Sequence, residues 1–219
     1  MDSGSNFSKT KTKENSRGKR NIFLVPLENS PLPDSKLVRL SLENAAFFAQ
    51  IVQKYEKSLL RYLLRISNIS REEAEDLLQE IFVKIYQNLR DFDSSLKFSS
   101  WIYRIAHNET ISAWRKKSVR GEKVDLEKAE AAQLLRSTLD IAAEVDDRFL
   151  VESVREILRD LPPKYREILV LRFLENKDYS EISDILRRPM GSVATLISRA
   201  KKHFERAARA VDLAKFLEK

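Results

Sequence analysis

The sequence has no cysteine and only two histidines, and these scarcities exclude most metal chemistry. A zinc finger needs thiolate ligands, and His107 and His203 are too few for a histidine metal site. The four glycines are too scattered for a phosphate-binding loop, so the Walker and Rossmann signatures are absent. No Ser/His/Asp set, Cys/His set or carboxylate pair stands in a catalytic arrangement. The sequence therefore predicts a protein that is not an enzyme and needs no cofactor.

Proline and long apolar runs are also scarce. The six prolines fall within residues 26–33 and 162–189, so residues 34–161 contain none. A proline-free stretch rich in Leu, Ile, Ala, Glu, Lys and Arg favours long helices. The longest apolar runs, such as residues 168–171, are far too short to span a bilayer. We expect an all-α, soluble, cytoplasmic protein with no membrane insertion.

Charge is distributed unevenly along the 219 residues. The chain carries 40 Lys and Arg against 33 Asp and Glu, a formal net charge of +7. Residues 1–20 hold six basic and two acidic side chains, whereas residues 122–150 hold four basic and eight acidic ones. These shifts predict a basic, disordered extension at 1–33, a helical domain at 34–120, a flexible acidic linker at 121–150 and a second helical domain at 151–219. The linker could hold a short helix at about 125–139.

Three helices are predicted in the first domain. Apolar residues recur every three or four positions over about 42–66, which indicates the first helix. Ser70 and Glu73 have the spacing of a capping box at the start of the second. The apolar stripe of this second helix is Leu78, Phe82, Ile85 and Leu89. The third helix is expected at about 99–117.

The second domain contains a helix-turn-helix pattern. A helix from about residue 151 ends at Pro162, and Pro163 can start another, in which Ile168, Leu169, Leu171, Phe173 and Leu174 form the apolar side. Asp178 and Glu181 then fit a second capping box, with short helices expected at 179–187 and 191–208. Val193, Ile197 and Ala200 should be buried. Residues 187–209 carry seven basic and one acidic side chain, so the last helix is suited to the major groove. A plain helical hairpin with a basic surface is the alternative.

Aromatic and basic side chains alternate on the third helix, around Asn108. Aromatic rings stack on unpaired bases, amides bond to base edges, and Arg and Lys neutralise the backbone. This combination suits opened DNA. The alternative is that Trp101, Ile105 and Trp114 are simply core residues, which is the interpretation we favour for Trp101. For Asn108, Arg115 and Lys116 both interpretations remain open.

The second helix carries a stripe of negative charge. Glu72, Asp76 and Glu80 are spaced four residues apart and therefore lie on one side of the helix. Such a stripe is unsuited to DNA and suited to a basic protein partner. The helix dipole would explain acidic residues in the first turn, but not Glu80.

Four motifs in this order resemble bacterial extracytoplasmic-function (ECF) sigma factors, the short class of RNA polymerase initiation subunits. They are Asp76–Phe82 (DLLQEIF), Phe98–Asn108 (FSSWIYRIAHN), Leu161–Leu169 (LPPKYREIL) and the helix-turn-helix. The resemblance covers about residues 34–120 and 151–208. It implies that 34–120 is sigma region 2 and 151–219 is sigma region 4. The implied function is binding of core RNA polymerase, promoter recognition, DNA melting and transcription initiation at the nucleoid.

The resemblance also implies a role for each matched residue. Core polymerase would be bound, at the clamp coiled coil of its largest subunit, by Asp76, Gln79 and Glu80. The minus-ten element would be held by Phe92 and Asn108, which form a pocket for a flipped base, and by Arg104, Arg115 and Lys116 on the backbone. The minus-thirty-five element would be read by Ser192, Thr195, Ser198, Arg199 and Lys202. The second domain would also dock on the flap of the second-largest polymerase subunit. The resemblance further implies an anti-sigma factor or another targeting protein as a partner.

Several positions depart from the family pattern. The recognition helix of the family usually reads Gly-Thr-Val-Lys/Arg-Ser-Arg, whereas this chain has Gly-Ser-Val-Ala-Thr-Leu at 191–196. Ala194 and Leu196 thus replace two basic residues that face DNA. Arg187 stands where the turn usually has glycine, and Ser112 where the family usually has Asp. Because a bidentate Arg–guanine contact contributes about 1–3 kcal/mol of discrimination, we expect weakened minus-thirty-five readout.

Two other functions remain open at this point. One is an autonomous helix-turn-helix transcription regulator that needs no polymerase. It would bind duplex DNA alone and with steep salt dependence. The other is a degenerate sigma-like module that only binds core polymerase or an inhibitor.

Overall fold

The computed structural model describes residues 32–119 and 148–210, and every regular element in these two ranges is helical. The N-terminal helical half consists of α1 (Asp34–Glu43), α2 (Phe48–Ile66), α3 (Arg71–Gln87) and α4 (Phe98–Val119). The C-terminal helical half consists of α5 (Arg148–Asp160), α6 (Pro163–Leu169), α7 (Tyr179–Leu186) and α8 (Met190–Ala210). The all-α prediction is confirmed. The helix expected near 125–139 and the extension up to residue 31 lie outside the described residues.

The first expected helix, at 42–66, is wrong in its bounds. The chain forms α1 and α2 instead, with a short 3-10 turn at Ala45–Phe47 between them. Asn44 has an extended backbone (φ −147°, ψ 116°), and its side chain accepts a hydrogen bond of 3.0 Å from the backbone N–H of Ala46. An Asn side chain that bonds to its own backbone competes with helical hydrogen bonds, so the helix is interrupted here.

The capping box and apolar stripe of α3 are confirmed. Ser70 accepts from the backbone N–H of Glu73, and Glu73 accepts from the backbone N–H of Ser70. The predicted stripe of Leu78, Phe82, Ile85 and Leu89 is buried. Trp101 is also buried, as expected for a core residue. Trp114 is 53 % exposed, so the core interpretation was wrong for it. Ser112, Arg115 and Lys116 are exposed as well, which shows that this end of α4 extends past its packing partners.

The start of the C-terminal half follows its prolines. Pro163 occupies the first turn of α6, where its missing N–H costs nothing. The helix then widens into a π-helical turn at Val170–Leu174, in which the N–H of Glu175 donates to the carbonyl of Val170 at 2.9 Å. A π turn shifts the register of the side chains. Phe173 is consequently 49 % exposed. The prediction that it belongs to the apolar side of the helix was wrong.

The helix-turn-helix is formed by α7 and α8. The capping box of Asp178 and Glu181 is confirmed, and Val193, Ile197 and Ala200 are buried as predicted. α7 ends at Leu186, and the next residue, Arg187, adopts a left-handed conformation (φ 50°, ψ 48°). This conformation costs a non-glycine residue about 1–2 kcal/mol, which accounts for the glycine that the family pattern has at this position.

The two helical halves pack against each other. α4 contacts α7, and α2 contacts α6 and the π turn. Buried apolar residues of both halves belong to one continuous hydrophobic cluster. None of the described helices combines the length and the apolar character that crossing a bilayer requires.

Candidate polymerase and nucleic-acid interfaces

The acidic surface lies on the exposed side of α3. Asp76, Gln79 and Glu80 are all exposed. Leu77 and Leu78, which lie between them in the sequence, are buried and pack the opposite side of the helix against the core. The acidic side chains therefore project from a firmly packed element.

An apolar extension of this surface was not found from the sequence. Val83 is 55 % exposed and Tyr86 47 % exposed, one and two turns beyond Gln79 on α3. The Tyr86 ring packs edge-on against Phe48 of α2 at 5.1 Å. The only sequence signal was that Val83 and Tyr86 fall between the positions of the buried stripe.

A cleft of about 560 Å³ opens beside Phe92, between α1 and the loop that precedes α4. Phe92 is half-buried, and its ring packs against Phe98 at 5.1 Å and Trp101 at 5.4 Å. Apolar side chains that line the cleft include Val38, Leu42, Leu89 and Phe98. Its exposed cationic residues are Arg39, Arg90 and Lys97. Sequence reasoning missed the contribution of α1, because that helix was not expected there.

The remaining residues expected to hold the minus-ten element lie along α4. Asn108, Arg115 and Lys116 are exposed, and Arg104 is half-buried. Asn108 is two helical turns beyond Trp101 and does not line the cleft beside Phe92. The backbone carbonyl of Asn108 accepts a hydrogen bond of 2.8 Å from the hydroxyl of Ser112, so the serine makes only a local contact there.

The outer side of α8 exposes all five residues expected to read the minus-thirty-five element: Ser192, Thr195, Ser198, Arg199 and Lys202. The Thr195 hydroxyl donates to the carbonyl of Gly191 at 2.9 Å, which commits its proton within the helix. Ala194 is exposed. Leu196 is half-buried and packs against the hydrophobic cluster. A shallow cleft of about 390 Å³ runs along this side, lined by Arg188, Gly191, Ser192, Thr195, Leu196 and Arg199.

The start of α7 is tied electrostatically to the start of α4. Lys97 lies 3.0 Å from Asp178 and 3.5 Å from Glu181. The backbone N–H of Glu181 and then the Lys97 ammonium lower the pKa of the Asp178 carboxyl. The hydrogen bond to Asp178 and the charge of Glu181 raise the pKa of Lys97. Lys97 is thus held in its charged form by the C-terminal half, whereas Asp178 is held in its charged form first by the start of its own helix and then by Lys97.

Comparison with known proteins identifies the class. The Sigma-70 region 2 family matches residues 51–120, and the Sigma-70 region 4 family matches residues 152–204. The N-terminal half is therefore a sigma region 2 domain, and the C-terminal half is a sigma region 4 domain with its helix-turn-helix.

A curated relative places the chain within this class. The ECF RNA polymerase sigma factor SigW of Bacillus subtilis is 34 % identical over 169 residues, which span 74 % of this chain and 89 % of the relative. The chain belongs to the ECF sigma factor family of RNA polymerase. A protein of this family directs RNA polymerase to promoters, binds polymerase and DNA, and is not an enzyme.

Two solved structures share the fold. CnrH in complex with the cytosolic domain of CnrY has a TM-score of 0.60 and 21 % identity, covering 81 % of this chain and 97 % of that one. The sigma factor RpoE of Bartonella quintana, in complex with the anti-sigma factor NepR, has a TM-score of 0.58 and 18 % identity, covering 74 % and 96 %.

Proposed function

We propose that this sigma factor binds core polymerase through the acidic side of α3 and captures opened promoter DNA along α4 and the Phe92 cleft. In this proposal residues 34–120 engage the polymerase and the minus-ten element, and residues 151–219 engage the flap and the minus-thirty-five element, with 121–150 as the linker. The observation that carries it is the juxtaposition of two surfaces of opposite charge on the neighbouring helices α3 and α4.

The polymerase contact is assigned to Asp76, Gln79 and Glu80. The exposed carboxylates of Asp76 and Glu80 repel a DNA backbone and complement a basic protein surface, such as the clamp coiled coil of the largest subunit, and the amide of Gln79 adds hydrogen bonds. Val83 and Tyr86 extend the contact with apolar area, which typically lies at the desolvated centre of an interface.

The Phe92 cleft is assigned to an unpaired base of the non-template strand. Its volume exceeds that of a nucleobase, its walls include apolar and aromatic side chains, and its exposed cations can neutralise adjoining phosphates. Asn108, on the same side of α4 as Trp101, would contact the strand beyond the cleft. The DNA backbone would be contacted by the basic side chains along α4, which are Arg104, Arg115 and Lys116. Bases become accessible to these residues only after the strands separate. Binding of the unpaired bases therefore stabilises the opened DNA and favours melting.

The reading of the minus-thirty-five element is assigned to α8, with weak discrimination. Of its five exposed candidates, only Arg199 has a guanidinium, whose rigid fork of donors matches the guanine edge. The hydroxyl proton of Thr195 is already used, and Ala194 offers no polar group. Phosphate contacts by Lys202 and Arg188 would position the helix without reading sequence. Selectivity would then depend more on the minus-ten element, on DNA shape or on a targeting partner.

A promoter library tests this weak readout. Transcription by the reconstituted holoenzyme from templates randomised across the upstream element should vary by no more than about 5- to 150-fold, the discrimination that a single bidentate contact contributes. The Ala194→Arg variant should widen that range by restoring a long cationic side chain at an exposed position. A sharp upstream consensus selected by the unaltered protein would contradict weakened readout.

An anti-sigma factor is included in the proposal as a regulatory partner. The fold is shared with the Bartonella quintana sigma factor that is bound to NepR. Such a partner would have to compete for surfaces that polymerase or DNA also uses.

Run-off transcription with and without core polymerase tests the proposal as a whole. Transcripts from a specific start site should depend on both the chain and the core enzyme. Tight, salt-sensitive duplex binding by the chain alone, without transcript, would instead indicate an autonomous regulator. Core binding without promoter-specific transcript would indicate an interaction module.

A further inference from the structure

Trp114 is a large apolar side chain on the surface of α4. It is 53 % exposed, whereas Trp101, the other tryptophan of the chain, is 6 % exposed and packs against Phe92 at 5.4 Å and Phe98 at 5.7 Å. Within residues 32–119 and 148–210, no aromatic ring packs against the Trp114 indole. An isolated apolar residue on a surface is common and needs no function by itself. The surroundings of this ring therefore decide whether it has a partner.

Trp114 lies past the packed part of α4. It follows His107 by seven residues, so the two side chains point in nearly the same direction. His107 contacts Glu167 of α6, whereas the side chains of residues 114–116 are all exposed. The indole is therefore not needed to hold α4 in place, and it is available to another molecule.

The side chains that follow the indole are cationic and exposed. Arg115 and Lys116 come directly after it, and residues 110–120 hold four basic residues and no acidic one. Glu109, the last carboxylate before this stretch, is paired with Lys84 of α3. Proteins that bind single-stranded DNA combine these two features, because bases stack on aromatic rings while basic side chains neutralise the phosphates. Charge complementarity thus favours an opened DNA strand as the partner of Trp114.

The indole also adjoins the side of α4 to which the proposed function assigns DNA. Asn108 and Arg115 are seven residues apart and therefore lie on the same side of the helix. Trp114 directly precedes Arg115, which places its ring at the margin of that side. Because each helical residue rises about 1.5 Å, Trp114 lies about 9 Å beyond Asn108, a distance of about two to three nucleotides at 3.4 Å per stacked base. One continuous DNA strand can thus contact both residues.

We infer that Trp114 is a further base-stacking residue, which holds an unpaired base of the non-template strand beyond the base that Asn108 contacts. Arg115 and Lys116 bind the phosphates that adjoin this nucleotide. The inference rests on the proposed function, because it takes α4 as the surface that binds opened DNA. The resemblance to ECF sigma factors does not imply it, since the motif on α4 that carries the resemblance ends at Asn108.

A stacking contact adds affinity for opened DNA without reading its sequence, because every base has a ring face. In a duplex these faces are covered by the neighbouring base pairs, so the indole gains its partner only after the strands separate. Trp114 therefore favours melting whichever base it meets, whereas the Asn108 amide depends on the edge of its base. The added affinity offsets part of what the weak minus-thirty-five readout proposed for α8 would lose.

2-Aminopurine, a base analogue whose fluorescence falls when it stacks, tests the contact in the reconstituted holoenzyme. The analogue is placed at successive non-template positions of a promoter that supports run-off transcription. At a position beyond the one that responds to Asn108→Ala, fluorescence should be lower with the parent protein than with Trp114→Leu, because leucine offers no ring. Trp114→Phe should restore the low fluorescence. Circular dichroism checks that the variants are folded.

The lifetime of the open complex gives the size of the effect. After a competitor challenge, complexes of Trp114→Leu should dissociate at least about fivefold faster than those of the parent, and those of Trp114→Phe within about twofold, since any aromatic ring can stack on a base. The loss should be the same for each of the four bases at the contacted position. Affinity for core polymerase, measured by fluorescence anisotropy, should be unchanged in both variants.

Equal probe fluorescence and equal lifetimes in the parent and the Trp114→Leu protein would overturn the inference. Weaker polymerase binding by Trp114→Leu, with unchanged probe fluorescence, would overturn it as well, because the ring would then contact a protein. A failure of the proposed function would look different: no probe position would respond to Asn108→Ala either, since α4 would not bind the opened strand.

Discussion

Reversing the charges of Asp76 and Glu80 together, to Lys, should weaken binding of core RNA polymerase by about 100-fold or more. Placing like charges against a basic partner costs several kcal/mol, and each 1.4 kcal/mol corresponds to a tenfold change in affinity. Both side chains are exposed on a helix whose opposite side is buried, so the substitutions should leave the fold intact. Binding can be measured by fluorescence anisotropy of the labelled protein.

A matched control separates local charge from net charge. Glu43→Lys combined with Glu56→Lys changes the net charge by the same +4, at exposed positions of α1 and α2. This control should bind polymerase within about twofold of the parent, since isolated surface charges contribute little. If both double variants lose affinity equally, the acidic side of α3 is not the polymerase contact. If neither does, the division of the N-terminal half into an acidic and a basic surface is wrong.

Local signals in the sequence predicted the local structure well. The capping boxes at Ser70 and Asp178 depend on residues three positions apart, so the pattern was sufficient to place both helix starts. The buried stripe of α3 likewise follows from helical periodicity. The break at Asn44 was missed because the apolar repeat continues across it, while a side-chain bond to the backbone redirects the chain.

Long-range features could not be read in the same way. Trp114 and Phe173 are typical core residues by type, yet one lies beyond the packed part of α4 and the other is turned outward by a π turn. The pair of Arg65 and Glu175 joins residues 110 positions apart. No periodic pattern indicates such a partner, because each residue alone is an ordinary charged residue at the end of a helical segment. The apolar cleft beside Phe92 was similarly out of reach, since it needs α1 as one wall.

Asn108→Ala is expected to reduce open-complex formation strongly while leaving polymerase binding unchanged. A bidentate contact of an Asn amide with a base contributes about 1–3 kcal/mol of discrimination, which corresponds to a loss of about 5- to 150-fold. Asn108 is exposed, so its truncation creates no cavity. Permanganate reactivity of unpaired thymines at a promoter gives the extent of opening. Gln53→Ala, which removes an exposed amide from α2, is the matched control and should open promoters normally.

Phe92 requires a more conservative change, because its ring packs against Phe98 and Trp101. Phe92→Leu keeps most of the apolar volume and removes the stacking surface, so it should lower opening over a similar range. Combined with Asn108→Ala, it should give a loss close to the product of the two single losses if each contacts a different base, as their separation on the molecule suggests. A combined loss no greater than either single one would indicate that both act on the same base. Loss of polymerase binding in step with loss of opening would instead assign both residues to the structure of the domain.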